Sequence, residues 1–434
     1  MKLIKLKLAI MLLLEFAVWG AYLTSLGSYL ARVGLANNIG IFYAVQGIVS
    51  IFTPAIFGIV ADRWIPAQKM LSLSHFVAGV FMIAAGVYGY LNPTPDFWPL
   101  FTLYTISVAF FMPTIGLANS VSYNALEREG LDTVKHFPPI RIFGTIGFII
   151  LMLFVNFTGF QNTYAQLITS GVVGLMLTLY ALTMPDCPVK KSVEKKSLTE
   201  ALGLNAFKLF KNKNMAIFFI FSMLLGVSLQ ITNGFANPYI QAFGDDTLIG
   251  RNANALISLS QISETLCILL IPFFLRKFGI KVVMLMAMLA WVLRFGFFGF
   301  GDVTPMGITF LVLSMIVYGV AFDFFNVSGS LYVDQQTDIS IRSSAQGLFM
   351  IMTNGIGATI GTLGAQAVIS RYVYSNTEAA AQIDGWHTSW LIFAAYSLVV
   401  AILFFLIFKN NAPKSNVNPL KATDEDPAGL IDAK

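Results

Sequence analysis

The chain has 434 residues, of which 56% are hydrophobic and only 11% charged, and its net charge at pH 7 is +5. A soluble domain carries about 25% charged residues, so this composition excludes a soluble enzyme and a disordered chain. The chain has only two cysteines and three histidines and lacks a Walker A motif, so we predict no disulfide framework and no metal, cofactor or ATP site. The modest net charge does not indicate nucleic acid as a partner.

Long apolar runs recur along the whole chain. A helix needs about 20 apolar residues to cross a bilayer, and the runs predict an all-α integral membrane protein with twelve transmembrane helices. In chain order, the predicted spans are 8–31, 38–61, 68–91, 97–120, 139–158, 163–184, 213–240, 253–275, 282–300, 305–329, 343–370 and 386–408.

The distribution of Lys and Arg predicts how these spans are oriented. Outside the spans, every Lys and Arg except Arg32, Arg251 and Arg371 lies at one of the two termini or in a loop on the same side of the membrane as the termini. Loops rich in Lys and Arg stay in the cytoplasm. Both termini are therefore predicted to be cytoplasmic.

The longest internal loop divides the spans into two groups of six. The predicted organisation is an N-terminal six-helix half (1–184), a basic cytoplasmic linker (185–212), a C-terminal six-helix half (213–408) and a polar, disordered cytoplasmic tail (409–434). Six plus six spans around a basic linker is the pattern of the major facilitator superfamily. In that fold, two halves rock around a site near the middle of the membrane.

The turn between the second and third spans supports this fold. It reads Gly58-Ile59-Val60-Ala61-Asp62-Arg63 and resembles the superfamily signature G-x-x-x-D-R. We expect Asp62 and Arg63 to bridge the cytoplasmic ends of helices, which is a gating role. The signature carries no information about the substrate.

Three acids and two arginines lie inside predicted spans, although each costs about 2.5–3.5 kcal/mol at the centre of a bilayer. They are Glu15, Arg141, Glu264, Arg294 and Asp323. We expect them to face a water-filled cavity or one another. Arg294 is predicted to be the counter-ion of a buried acid, and His75 to be a core histidine with its polar atoms satisfied.

Helical spacing places most of these charges on faces with polar and aromatic residues. The faces are Glu15, Trp19 and Tyr22; Arg141, Thr145 and Phe148; Gln230 and Asn233; Gln261 and Glu264; and Tyr318, Phe322 and Asn326 with Asp323 beside them. A surface that touches only lipid would not combine these residue types. Amides and hydroxyls also hold membrane helices together, at about 0.6 kcal/mol each, and this role stays an alternative for Thr145, Gln230 and Asn233.

Several stretches of the chain resemble the nucleoside:H⁺ symporter family of the major facilitator superfamily. They are FPPIRIFGTIGF at 137–148, the segment 207–233, SQISETL at 260–266, SMIVYGVAFDFFNVSGS at 314–330 and SAQGLFMIMTNG at 344–355. The resemblance implies import of a nucleoside such as uridine together with protons, across the cytoplasmic (inner) membrane of a bacterium. One chain would contain the whole pathway in the lipid bilayer, so a monomer suffices.

The resemblance also implies which residues line the substrate site. From the N-terminal half they are Arg141, Thr145 and Phe148, and from the C-terminal half Gln230, Asn233, Gln261, Glu264, Tyr318, Phe322 and Asp323. The chemistry suits a nucleoside, because aromatic rings can stack on a base, amides can read its edge and carboxylates can bind ribose hydroxyls. A nucleotide fits less well, since phosphate calls for clustered cations.

Three carboxylates are candidates for the coupling proton: Asp323, Glu264 and Glu15. We favour Asp323, because Phe322, Phe324 and Phe325 would give it an apolar surround. Glu264 would then mainly hold the substrate. Glu15 is the rival, because an enteric member of the family has an amide at this position.

The residues leave two other functions open. A proton symporter of the same fold for sugars or other small molecules would also combine aromatic rings with carboxylates. A membrane sensor that binds nucleosides without transporting them is the second alternative.

Overall fold

A computed structural model of the protein describes residues 2–187, 204–337 and 341–409. In these ranges the regular elements are all helical. The first eight α-helices are α1 (Lys2–Gly20), α2 (Leu26–Arg32), α3 (Ile39–Arg63), α4 (Ala67–Leu91), α5 (Phe97–Phe111), α6 (Thr114–Arg128), α7 (Thr133–Phe157) and α8 (Ala165–Ala181).

The remaining α-helices follow a 3₁₀ segment at Leu204–Lys211. They are α9 (Lys213–Gln241), α10 (Leu248–Arg251), α11 (Ala253–Gly299), α12 (Pro305–Gln336), α13 (Arg342–Met350), α14 (Ala358–Ile369) and α15 (Ala379–Ile407). Two π-helical segments, Ile351–Gly357 and Ser370–Tyr374, flank α14. They join α13 and α14 into one continuous helical segment.

The predicted fold class is confirmed, and the helices of the described residues make twelve crossings in two groups of six. Among the described residues, nine helical segments are long and apolar enough to cross a membrane, and Ala165–Ala181 is a shorter apolar helix. One of the nine, α11, holds the eighth and ninth spans, which meet at a bend where Gly279 has a φ of 74°. Glycine adopts this left-handed conformation without a steric penalty.

Two predicted spans are broken rather than continuous. The first consists of α1 and α2 with a turn at 21–25 between them, and the fourth consists of α5 and α6, which meet at Pro113. Proline has no backbone N–H and interrupts helical hydrogen bonding. The fourth span also extends to Arg128, beyond the predicted end at 120.

Glycines allow α1 to pack closely on α7. A Cβ at Gly20 would collide with the backbone of Phe148, and a Cβ at Gly147 would collide with the backbone of Leu13. Small residues at such crossings let membrane helices approach backbone to backbone. This packing fixes the face of α1 that carries Leu13 and Gly20 against the face of α7 that carries Gly147 and Phe148.

The two groups of six spans are hydrogen-bonded to each other at one end of the bundle. In the described part of the chain, the side-chain hydrogen bonds between the groups lie near the end that carries Arg32 and Arg251. Examples are Thr24 Oγ1 to Asn254 Oδ1 (2.9 Å), Arg32 to Asp245 (2.7 Å), Asn156 to Asn252 (3.0 Å) and the Gly40 amide to Gln366 (2.6 Å). The bundle is therefore closed by polar contacts at this end.

Three predictions fall wholly or partly outside the described structure. Helix α3 ends at Arg63, but the side chains of Asp62 and Arg63 lie outside the described part, so their gating role stays a prediction. Most of the linker (188–203) and nearly all of the tail (410–434) also lie outside it.

Candidate functional site

Two aromatic rings on α12 form a flat platform. Tyr318 and Phe322 are one helical turn apart, and their rings stack with centroids 5.7 Å apart and planes 4° apart. Trp291 from α11 meets the Tyr318 ring edge-on at 6.1 Å. Edge-on and stacked contacts between aromatic rings stabilise a defined ring orientation. Tyr318 is buried, whereas Phe322 is half-buried and lines a small cavity, so Phe322 is the ring of this platform that a planar ligand can reach.

Arg294 supports this platform, which corrects its predicted role. Its guanidinium lies 4.5 Å from the centre of the Tyr318 ring and 5.2 Å from that of Phe298, and it donates a hydrogen bond of 2.7 Å to the Ser314 carbonyl oxygen. No ion pair between Arg294 and an acid is found among the described residues. A cation over an aromatic face is itself attractive, so Arg294 is held by rings and a backbone carbonyl.

Two carboxylates lie beside the platform. Glu264 on α11 is half-buried, and Asp323 on α12 is only 3% exposed. Asp323 and Glu264 are close enough for their charges to interact. One carboxyl oxygen of Asp323, Oδ2, has no hydrogen-bond partner among the described residues. A buried carboxyl in this position is ready to exchange a proton or to accept a hydrogen bond.

The sequence favoured Asp323 as the proton carrier because of its neighbouring phenylalanines, but two of these rings lie elsewhere in the structure. Phe324 packs against Phe274 at 5.1 Å, and Phe325 packs against Phe218 and Phe349. Their rings thus contact other helices. What distinguishes Asp323 is its burial and its neighbouring acid.

Three amides lie on the same half. On α9, Asn233 donates to Gln230 Oε1 at 3.2 Å, and on α11 the Gln261 side chain interacts with the Tyr318 hydroxyl. A small cavity is lined by Leu229, the neighbour of Gln230, and by Phe322. Helix α9 therefore meets α12 beside the platform.

The N-terminal half contributes Arg141 and Phe148 from α7, with Thr145 half-buried between them. The Arg141 guanidinium lies 3.8 Å from the centre of the Phe16 ring. A Cβ at Gly144 would collide with both groups, so the glycine leaves the space for this stack. Phe148 is buried and meets the Trp19 ring edge-on at 6.5 Å.

Arg141 connects the two halves electrostatically. Helix α7 packs against α11, and the charge of Arg141 interacts with Glu264 across this contact and with Glu15 on its own half. An attraction between opposite charges is much stronger in a low-dielectric site than in water. Arg141 is thus placed between two acids on different halves.

Glu15 has partners that the sequence did not indicate. Its carboxyl is fully buried, with Oε2 lying 2.7 Å from His75 Nε2 on α4 and Oε1 accepting a hydrogen bond of 2.6 Å from Thr114 on α6. His75 was expected to be a core histidine, and it is buried, but it pairs with an acid. Sixty and 99 positions separate these residues from Glu15, so no periodicity could have paired them.

The structure thus brings the predicted residues into two facing sets. One set consists of Tyr318, Phe322, Gln261, Glu264 and Asp323. Gln230 and Asn233 contact each other on α9, in the same half. The facing set consists of Arg141, Thr145 and Phe148. Together they supply a ring-stacking surface, amide donors and acceptors, two acids and one cation. The residues that sequence reasoning missed are Phe16, Trp291, Thr114 and the role of His75.

A comparison with protein families identifies the chain. The family model described as Nucleoside H⁺ symporter matches residues 1–413. The chain belongs to the nucleoside H⁺ symporter family. It is accordingly a transporter of the major facilitator fold and a multi-pass membrane protein, not an enzyme.

Individual relatives agree with this family. The chain is 46% identical over 413 residues to the nucleoside permease NupG of Escherichia coli (strain K12), covering 94% of this chain and 96% of the permease. It is equally identical, over 419 residues and with the same coverage, to the xanthosine permease of the same organism. A crystal structure of the nucleoside transporter NupG matches with a TM-score of 0.85 and 45% identity, covering 94% of this chain and 100% of the other.

A more distant structure supports the fold alone. A D-xylose–proton symporter matches with a TM-score of 0.66 but only 15% identity, covering 93% of this chain and 96% of the other. The shared architecture of this symporter and the nucleoside H⁺ symporter family says nothing about the substrate of this chain, because one fold hosts many functions.

Proposed function

We propose that this protein imports nucleosides together with protons, by alternating access of one central site to the two sides of the membrane. The observation that carries the proposal is the Tyr318–Phe322 platform with Gln261 and Glu264 beside it, in a chain of the nucleoside H⁺ symporter family. Its relatives are a nucleoside permease and a xanthosine permease.

The parts of a nucleoside match the parts of the site. The base stacks on the Tyr318–Phe322 platform or is enclosed by Phe148, because every base has a π face. Gln261 or Gln230 reads the edge of the base, since an amide can both donate and accept a hydrogen bond. Glu264 accepts hydrogen bonds from ribose hydroxyls or from the base, and Arg141 reaches the substrate or holds a nearby acid ionised. Thr145 and Asn233 complete the lining.

We infer the orientation from the positive charges. Both termini lie in the cytoplasm, and the membrane is the bacterial inner membrane. The hydrogen-bonded end that carries Arg32 and Arg251 then faces outward. The site is then closed to the outside in this conformation. The chain acts in the bilayer as a monomer, because one chain supplies both halves of the site.

Asp323 carries the coupling proton in this mechanism. It is buried beside Glu264 and has a free carboxyl oxygen. Loss of water disfavours the ionised form of a carboxyl and a nearby cation favours it. Rocking of the halves changes its exposure to water, so the carboxyl takes up a proton facing outward and releases it facing inward.

Uptake into proteoliposomes tests the function directly. With labelled uridine and an inward proton gradient, we expect concentrative uptake that a protonophore abolishes. One proton gains about 2.3 kcal/mol per 100 mV, which allows roughly 50-fold accumulation. Accumulation that persists without a proton gradient would contradict the proposal. Uptake of labelled xylose but not of uridine would indicate a sugar symporter, and nucleoside binding without uptake would indicate a sensor.

Phe322→Ala should weaken nucleoside binding. Removing half of the platform deletes one stacking surface, worth about 1–3 kcal/mol, so the Kd should rise about 5- to 150-fold. Binding of uridine to the purified protein measures this change. The matched control is Phe157→Ala, because Phe157 is 72% exposed at the end of α7.

Gln261→Ala should act differently, by changing the ranking among nucleosides more than the affinity for all of them. Competition with a panel of purine and pyrimidine nucleosides measures the ranking. If both Phe322→Ala and Gln261→Ala bind uridine as the wild type does, the site lies elsewhere.

A further inference from the structure

The N-terminal half contains a buried acid–histidine pair that the proposed mechanism does not use. The side chains of Glu15 and His75 are both 0% exposed, with 2.7 Å between Oε2 and Nε2. The Thr114 hydroxyl lies 2.6 Å from the other carboxyl oxygen and 2.5 Å from the carbonyl oxygen of Phe111, so its single hydrogen has two possible acceptors. A charge without partners would be very costly at this depth, but here each carboxyl oxygen has a polar side chain within hydrogen-bonding distance.

The second ring nitrogen of His75 has no such partner. Nδ1 is buried and makes no hydrogen bond within the described residues. His75 also lines a small cavity with Ser107 and Ser170. These serines donate their hydrogens to the carbonyl oxygens of Ala78 (2.7 Å) and Val18 (2.8 Å), so towards the cavity their hydroxyl oxygens can only accept. The histidine therefore borders a cavity whose hydroxyl oxygens would accept a hydrogen bond from a protonated ring.

We propose that Glu15 and His75 form a proton-binding site separate from Asp323. The proton binds Nδ1 of His75, Nε2–H stays hydrogen-bonded to Glu15, and the carboxylate of Glu15 stabilises the imidazolium. No other bond forms or breaks. A histidine beside a carboxylate can change its charge within the physiological pH range.

Among the described residues, Arg141 supplies a further charge that acts on the pair. Helices α4, α5, α6 and α8 face it with uncharged groups such as Ser107, Thr114 and Ser170, whereas α7 contributes Arg141, whose charge interacts with Glu15. When His75 is neutral, the Glu15 carboxylate attracts Arg141. When His75 is protonated, the pair is neutral overall, and Arg141 interacts mainly with Glu264 or the substrate.

Aromatic contacts link the pair to the substrate site as well. The His75 ring meets Phe111 at 6.0 Å, Phe111 contacts Trp19 at 6.0 Å, and Trp19 contacts Phe148 at 6.5 Å. The proton site itself needs no substrate. Only its influence on Arg141 during transport rests on the proposed function.

Ring ¹⁵N NMR of histidine tests the site in the full-length protein. The H136Q/H387Q variant leaves His75 as the sole histidine, because the chain has three. Between pH 5 and 9, its ring should change from imidazolium to imidazole. Adding E15Q should change this titration, since it removes the carboxylate that contacts the ring. Adding D384N, which changes an exposed acid on α15, should leave the titration unchanged.

Two outcomes would overturn the proposal: a His75 ring whose protonation stays constant over this range, or an identical titration with and without E15Q. If the E15Q protein does not fold, Thr114→Val removes one hydrogen bond to Glu15 and keeps both titrating groups. In the H136Q/H387Q background, Thr114→Val should alter the titration of His75. An unaltered titration would count against the proposal. These readouts require no transport, so a failure of nucleoside uptake remains distinguishable from a failure of the proton site.

Discussion

Asp323→Asn is expected to abolish uphill nucleoside uptake and to preserve nucleoside counterflow. Counterflow exchanges labelled for unlabelled nucleoside and requires no net proton movement. Asparagine keeps the size and hydrogen-bonding capacity of the side chain but cannot carry a proton. Accumulation ratios in proteoliposomes should fall from roughly 50-fold per 100 mV to about onefold, the value without coupling.

The matched controls for this experiment are the other buried acids. Glu264→Gln should weaken binding and counterflow together, because Glu264 is placed to hold the substrate. Glu15→Gln should keep uphill uptake and shift its pH dependence. If Asp323→Asn still accumulates nucleoside and one of the other variants does not, the coupling proton belongs to that other residue.

Arg141→Ala is expected to lose transport while the protein still inserts into the membrane. Its guanidinium lies over Phe16 and interacts with acids on both halves, Glu264 and Glu15. Removing it leaves a buried acid without its cation, which typically costs about 3–5 kcal/mol. We expect uptake and counterflow to fall by more than about tenfold, with membrane abundance measured in parallel.

Arg141→Lys tests whether charge alone is sufficient. Lysine keeps the charge but lacks the planar fork that stacks on an aromatic ring, so partial transport is expected. The control is Arg251→Ala, because Arg251 is exposed near the closed end of the bundle. Normal uptake by Arg141→Ala at normal abundance would show that the arginine is dispensable.

The sequence determined the membrane architecture and the composition of each helix face. Apolar runs of about 20 residues must cross the bilayer as helices, because unpaired backbone groups are too costly in lipid. Helical periodicity then places residues three or four apart on one side. Tyr318 and Phe322 therefore stack, and Arg141 lies on the same face as Phe148.

Interruptions within the spans were harder to predict. The turn at 21–25, the break at Pro113 and the π-helical segments around α14 all occur within apolar stretches. Hydropathy measures whether a segment prefers lipid, and it does not register where the backbone leaves helical geometry. Neighbouring helices decide that, because they satisfy the freed backbone groups.

Only the tertiary structure decided which faces meet. Glu15 pairs with His75 and Thr114, although Arg141 and Arg294 were the expected cations for buried acids. Arg294 instead lies against Tyr318 and Phe298. Helical period fixes the direction of a side chain relative to its own helix. The rotation, depth and crossing angle of two helices depend on how their surfaces pack, and this packing brings together residues that are far apart in sequence.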